Sequence, residues 1–187
     1  MNSVRSSVNT TPAELTRKLT SFGNPANGTT RRTKQYCRNI FVLLIMSSRK
    51  VVLDTNCLIS SLSRRGQYYP VWKGLQTGEY ILCVSTEILN EYAEIITQKM
   101  SVGVATNVIH LLLESEFVEF INPYFRLHLI EADHDDDKFV DCAFAANAAF
   151  IVSDDKHYDV LKDISFPKIL VLKLKEFFGL LQSEDNK

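Results

Sequence analysis

The 187-residue sequence predicts an α/β fold in three α/β/α layers, with a central parallel sheet of about four to five strands and a disordered N-terminal tail in front of it. Three observations predict it. Short runs rich in Val, Ile and Leu recur from residue 50 onward, they do not alternate with polar residues, and longer segments with helical apolar spacing separate them. Strands that are apolar throughout are buried on both faces, as in parallel sheets built from βαβ crossovers. A content of 45% hydrophobic and 23% charged residues suits one globular domain plus a tail.

Residues 1–39 are rich in Ser, Thr, Asn and Arg, with turn signals at Asn24-Pro25 and Asn27-Gly28, and lack the apolar spacing that builds a core. They are expected to be disordered apart from a short helix near Ala13 to Thr20. The boundary is drawn after residue 45, leaving 1–45 as a basic extension and 46–187 as the folded domain. Residues 1–50 hold nine Lys/Arg against Glu14, a net +8, and the remaining 137 residues hold 12 basic and 21 acidic residues, a net −9. Three accounts of the extension stand: a wrongly assigned start, with Met46 just before SSRKVVLDTN as the real one; an organelle transit peptide; or a basic nucleic-acid arm. The first is preferred.

VVLD (51–54) reads as a buried strand, followed by helices over Asn56 to Arg64 and Pro70 to Gln76, the second ended by Gly78. YILCV (80–84) is the next strand. Ser85 suits the N-cap of a helix running to Lys99, with Ile88, Tyr92, Ile95 and Ile96 spaced for burial. Residues 101–115 form another helix, with Leu111, Leu112 and Leu113 assigned to the core. FVEFI (117–121) is a strand, a helix covers Asp135 to Ala148, AFIVS (149–153) and KILVL (168–172) are the last strands, and LKEFFGLL closes the chain as a helix.

Several functions are disfavoured. Cys37, Cys57, Cys83 and Cys142 form no C-x-x-C pair, and three of them lie in apolar runs, which suits buried thiols in a reducing compartment. The four histidines form no H-x-x-x-H pair, so a zinc helix is not indicated, and His134 among its acids reads as a surface residue. Ile40 to Met46, seven apolar residues, is too short to span a bilayer, which needs about 18 to 20. A soluble, cytoplasmic protein is expected.

Ligand sites in parallel α/β sheets lie at the carboxyl ends of the strands, so the residues there matter most. The first strand ends in Asp54; AFIVS runs into Asp154 and Asp155; Glu91 sits two turns into the helix after the second strand. The stretch ADHDDDKFVD (132–141) holds five acids, with Asp137 and Asp141 one turn apart on the same side of a helix. Converging carboxylates repel one another unless some stay protonated or a divalent cation joins them. Oxygen-only donors without paired His or Cys suit Mg²⁺ or Mn²⁺, which act on phosphoryl groups by activating water and stabilising charge.

The segments VVLDTN (51–56), STEILNEYAEII (85–96) and DHDDDKFVDCAFAANAAFIVSDDKHY (133–158) resemble the PIN domain nuclease family, and more closely its bacterial toxin–antitoxin (VapC-like) toxin branch. The resemblance covers nearly all of residues 49–180. It implies a ribonuclease with one or two Mg²⁺ or Mn²⁺ ions held by Asp54, Glu91, Asp137 and Asp155, with Asp141 as a secondary ligand. Asn56 and Ser153 would orient ligands or the attacking water. It also implies an RNA substrate, a cognate antitoxin and a homodimer, with no membrane partner. Within the acidic run the register is taken at Asp137 by counting back from Ser153-Asp154-Asp155, and Asp155 is taken over Asp154.

A domain at −9 has few cations for RNA, whose non-specific affinity comes from Lys and Arg. Arg64, Arg65, Lys73, Lys138 and Lys156 lie near the expected edge and are the candidates for substrate contact. Two other readings compete. A PIN fold kept as a binding scaffold is countered by the presence of all four acids. A haloacid-dehalogenase-like phosphatase needs D-x-D, and here the second position is Asn56, which cannot act as a general acid.

Overall fold

The structure is a computed structural model that describes residues 50–184. The tail, its short helix and Cys37 lie outside the described residues. Five strands make one sheet: β1 (Lys50–Leu53), β2 (Ile81–Val84), β3 (Val118–Phe120), β4 (Phe150–Val152) and β5 (Val171–Leu172). Their order is β3-β2-β1-β4-β5, and every pairing is parallel. The expected three-layer arrangement is observed. The central strands are apolar throughout because both faces are covered: Val51, Val52, Leu53, Leu82, Cys83, Val84, Phe150, Ile151 and Val152 are all buried.

Six α-helices flank the sheet among the described residues: α1 (Thr55–Leu62), α2 (Tyr69–Thr77), α3 (Thr86–Lys99), α4 (Val102–Glu114), α5 (Asp137–Ala145) and α6 (Leu174–Glu184). Their ends follow local chemistry. Ser85 and Ser101 cap α3 and α4 by accepting from Ile88 N–H and Val104 N–H. α2 stops at Gly78, whose φ of 75° turns the chain into the left-handed region. Asn147, with φ of 50°, does the same for α5, so that helix ends at Ala145 rather than reaching Ala148 as the sequence predicts. A 3₁₀ turn over His134–Asp136 precedes α5 in place of the expected helical residues, and a second, His157–Lys162, follows β4.

Phe177 of α6 meets Tyr80 and Phe150 edge to face and joins that helix to the sheet. Trp72 is buried, and Tyr68 packs edge-on against Phe178. Leu113 departs from expectation: it is 56% exposed while Leu112 is buried. Three consecutive helix positions sweep about 200°, so one core cannot take all three. KILVL contributes only Val171 and Leu172 as strand, paired with Ile151 and Val152 at the edge of the sheet. Cys57, Cys83 and Cys142 are buried and free, as expected. No described helix is long and apolar enough to cross a membrane.

Candidate active site

The strand order makes one place on this sheet special. From β1 the chain moves outward through β2 and β3 on one side, while β4 and β5 lie on the other, so the switch point, where sheets of this kind form their binding crevice, falls beyond the carboxyl ends of β1 and β4. Asp54 stands at the end of β1, and its N–H donates to Val152 O of β4 at 2.9 Å. Ser153, fully buried, donates its hydroxyl to Asp54 Oδ2 at 3.3 Å and accepts from Asp155 N–H at 3.0 Å. One hydroxyl thus ties together the acids that follow β1 and β4. Asp154 is elsewhere: its Oδ1 accepts from Leu174 N–H at 3.1 Å and fixes the start of α6.

Glu91 reaches the crevice from α3. It accepts from Thr55 Oγ1, in a short hydrogen bond, and pairs with Lys138 Nζ at 2.6 Å. Asp136, on the 3₁₀ turn before α5, supplies another acid. Its two oxygens lie 3.2 Å from His157 Nδ1 and 3.2 Å from Tyr158 Oη, and the His157 ring is also 3.6 Å from Asp155 Oδ1.

The electrostatics show that these acids sense one another. Asp54 is 6% exposed, and its carboxyl is pushed up to about 6, first by burial, then by the charge of Asp136, with Glu91 adding to it and the Ser153 hydrogen bond opposing. Asp136 is raised as well, mainly by burial and further by Asp133 and Asp155, while its bonds from His157 and Tyr158 pull the other way. Burial and the nearby carboxylates hold the Tyr158 hydroxyl far above its usual range, so it stays a donor to Asp136.

Two of the expected ligands are not brought to this crevice. Asp137 is buried, its Oδ1 accepts from Ile130 N–H at 3.0 Å, and its Oδ2 faces His134 and His128. Asp141, also buried, accepts from Leu127 N–H at 2.9 Å and lies 3.5 Å from Arg126. The reason is helical geometry. Residues four apart share a side, so Asp137 and Asp141 together grip the segment over residues 126–130, while Asp136, one position earlier, bonds instead to His157 and Tyr158 and adds its charge at Asp54. Asn56 is exposed and accepts from Lys99 Nζ at 2.7 Å, leaving its neighbour Thr55 as the residue that holds Glu91. Lys138, a candidate for substrate contact, is occupied by Glu91 and only 18% exposed. Arg64, Arg65, Lys73 and Lys156 are exposed.

Comparison with known proteins adds one decisive finding. Residues 50–157, more than half of the chain, match the family model described as PIN domain. The chain belongs to the PIN domain family. Among solved structures, this PIN domain is similar to VapBC2 from Rickettsia felis bound to a DNA fragment from their promoter, with 15% identity and a TM-score of 0.48 over 66% of this chain and 98% of that chain. No curated protein matches it.

Four residues at the PIN domain's crevice were not singled out from sequence: Thr55, Asp136, His157 and Tyr158. Asp136 lies inside a run of three aspartates, where one residue of register decides which face each acid takes. Thr55 sits between the two residues that drew attention, Asp54 and Asn56, and only its bond to Glu91 distinguishes it. His157 and Tyr158 become visible once β4 places the Ser153–Asp155 turn opposite the 3₁₀ turn before α5.

Proposed function

We propose that this PIN domain is a ribonuclease that hydrolyses RNA phosphodiester bonds with one or two Mg²⁺ or Mn²⁺ ions held by Asp54, Glu91, Asp136 and Asp155. The supporting observation is that Asp54, buried at the end of β1, is tied through the Ser153 hydroxyl to the Asp155 turn after β4, with Asp136 and Glu91 near enough to add their charge to it. The donor set fits a hard divalent cation: it is all carboxylate oxygen, and its mutual repulsion is what such a cation relieves. When bound, the ion supplies a nucleophile at neutral pH and charge stabilisation at the phosphate.

The chain's own residues do the rest. Ser153 holds Asp54 and the Asp155 backbone in one register, Thr55 and Lys138 orient Glu91 from two directions, and Tyr158 and His157 aim Asp136. No side chain acts as a covalent nucleophile. Substrate contact falls to cations around the crevice, among them exposed Lys156 and half-buried Lys173, whose Nζ lies 3.3 Å from Asp155 O. The motif resemblance to toxins of toxin–antitoxin pairs extends the proposal to a toxin with a cognate antitoxin.

The test is incubation of the full chain with mixed RNAs in Mg²⁺ or Mn²⁺, with chelator and variant controls. Cleavage is expected to vanish with chelator and to fall by at least about a hundredfold in Asp54→Asn and in Asp136→Asn. Cleavage that survives Asp54→Asn overturns the assignment. No cleavage by the intact chain would favour a scaffold role. For the toxin reading, growth arrest on expression should be relieved by co-expressing a small neighbouring gene product.

A further inference from the structure

We propose that His128, His134 and Asp137 form a second metal site, for a transition-metal ion of the zinc kind, separate from the carboxylate crevice. Each of the three offers one ligand atom, and these atoms all lie within 4.8 Å of one another. Asp137 Oδ2 is 3.2 Å from His134 Nδ1 and 3.6 Å from His128 Nδ1. The shorter is also within hydrogen-bond range, and the longer exceeds it. Both suit donors sharing one ion, since ligands about 2.1 Å from a tetrahedral centre stand about 3.4 Å apart.

The surroundings prepare the three groups. Asp137 is 4% exposed and its other oxygen, Oδ1, is taken by the N–H of buried Ile130, so Oδ2 is held toward the two rings. That backbone bond does for the carboxylate what outer hydrogen bonds do for metal ligands generally. The rings meet nearly perpendicular with centroids 5.9 Å apart, and their side chains are 65% and 69% exposed, leaving an ion's remaining positions open to water. Two imidazoles select zinc, nickel, cobalt or copper over magnesium.

No histidine spacing in the sequence signals this site. His128 and His134 are brought together by a loop in which His128 takes φ of 51°, and the acid comes from the first turn of α5. An ion there would clamp the loop to the turn that presents Asp136. The second site would thereby stiffen the first without sharing a ligand with it.

The test uses the metal-free full chain titrated with Co²⁺, read by its visible absorption, and with Zn²⁺ in competition with a chromophoric chelator. Wild type and Asp54→Asn/Asp136→Asn are expected to bind one equivalent at this site. His128→Gln/His134→Gln is expected to bind at least about a hundredfold more weakly, with each single variant intermediate. Circular dichroism checks the fold, and both rings are exposed enough for substitution to leave it intact. The proposal is overturned if the double histidine variant binds as wild type does, if Asp54→Asn/Asp136→Asn abolishes binding, or if folded wild type takes up neither ion.

Discussion

Asp54 is a carboxylate held where the fold alone would prefer it neutral. Its folded-state value of about 6 lies above the ordinary 3.8, so its contribution to stability is fully present below about pH 4 and lost as pH rises through 6. In the presence of chelator, Asp54→Asn is therefore expected to stabilise the protein at pH 8, by about 2 to 3 kcal/mol, with little difference at pH 4. Thermal denaturation at the two pH values measures it. An equal effect at both would mean that Asp54 is not strained by burial and its neighbours. Within the aspartate run, Asp133→Asn and Asp137→Asn should each keep most of the metal-dependent cleavage that Asp136→Asn removes. If Asp137→Asn is inactive while still folded, the register argued from Ile130 and His134 is wrong.

Single elements depend on positions that sequence marks only in part. Gly78 ends α2 at positive φ, and a Cβ there would stand 2.4 Å from the Phe117 ring. Gly78→Ala is expected to cost more than the roughly 1 kcal/mol of the left-handed conformation alone, because Phe117 must also move. A fall in melting temperature larger than that for Gly103→Ala, where a Cβ meets nothing within 4 Å, is the readout. The loop before α5 depends on Asp141, a buried carboxylate whose partners are Leu127 N–H and Arg126; Arg126 also forms a short ion pair with Glu87. Burial raises the Asp141 carboxyl, and those hydrogen bonds restrain the rise. Asp141→Ala should destabilise by about 1 to 3 kcal/mol in urea melts, because Leu127 N–H loses its acceptor. It should leave Mg²⁺ affinity within a few-fold.

The whole molecule sets a domain with excess negative charge against the RNA substrate proposed for it, with the excess of positive charge in its first 50 residues. RNA binding by the full chain should weaken steeply with salt, and a chain starting at Met46 should show a shallower dependence and lower affinity. Fluorescence anisotropy on a single-stranded RNA across a salt series measures both slopes. Equal slopes would remove a nucleic-acid role for the first 45 residues.

The sequence by itself determined the architecture. Apolar runs without alternation, separated by helical segments, dictate a parallel sheet covered on both faces, and Asp54, Glu91 and the Ser153–Asp155 turn mark the strand ends and helix where acids gather. These features are legible because each depends on neighbours within a few residues. Which aspartate of DHDDDK adds its charge at Asp54, and whether Asn56 or Thr55 holds Glu91, depends on the angle at which an element meets its neighbours. A helix turns by about 100° per residue, so one step of register moves an acid from the crevice to the opposite loop. The meeting of His128, His134 and Asp137 is likewise a property of the packed loop and helix, and only the tertiary structure decided it.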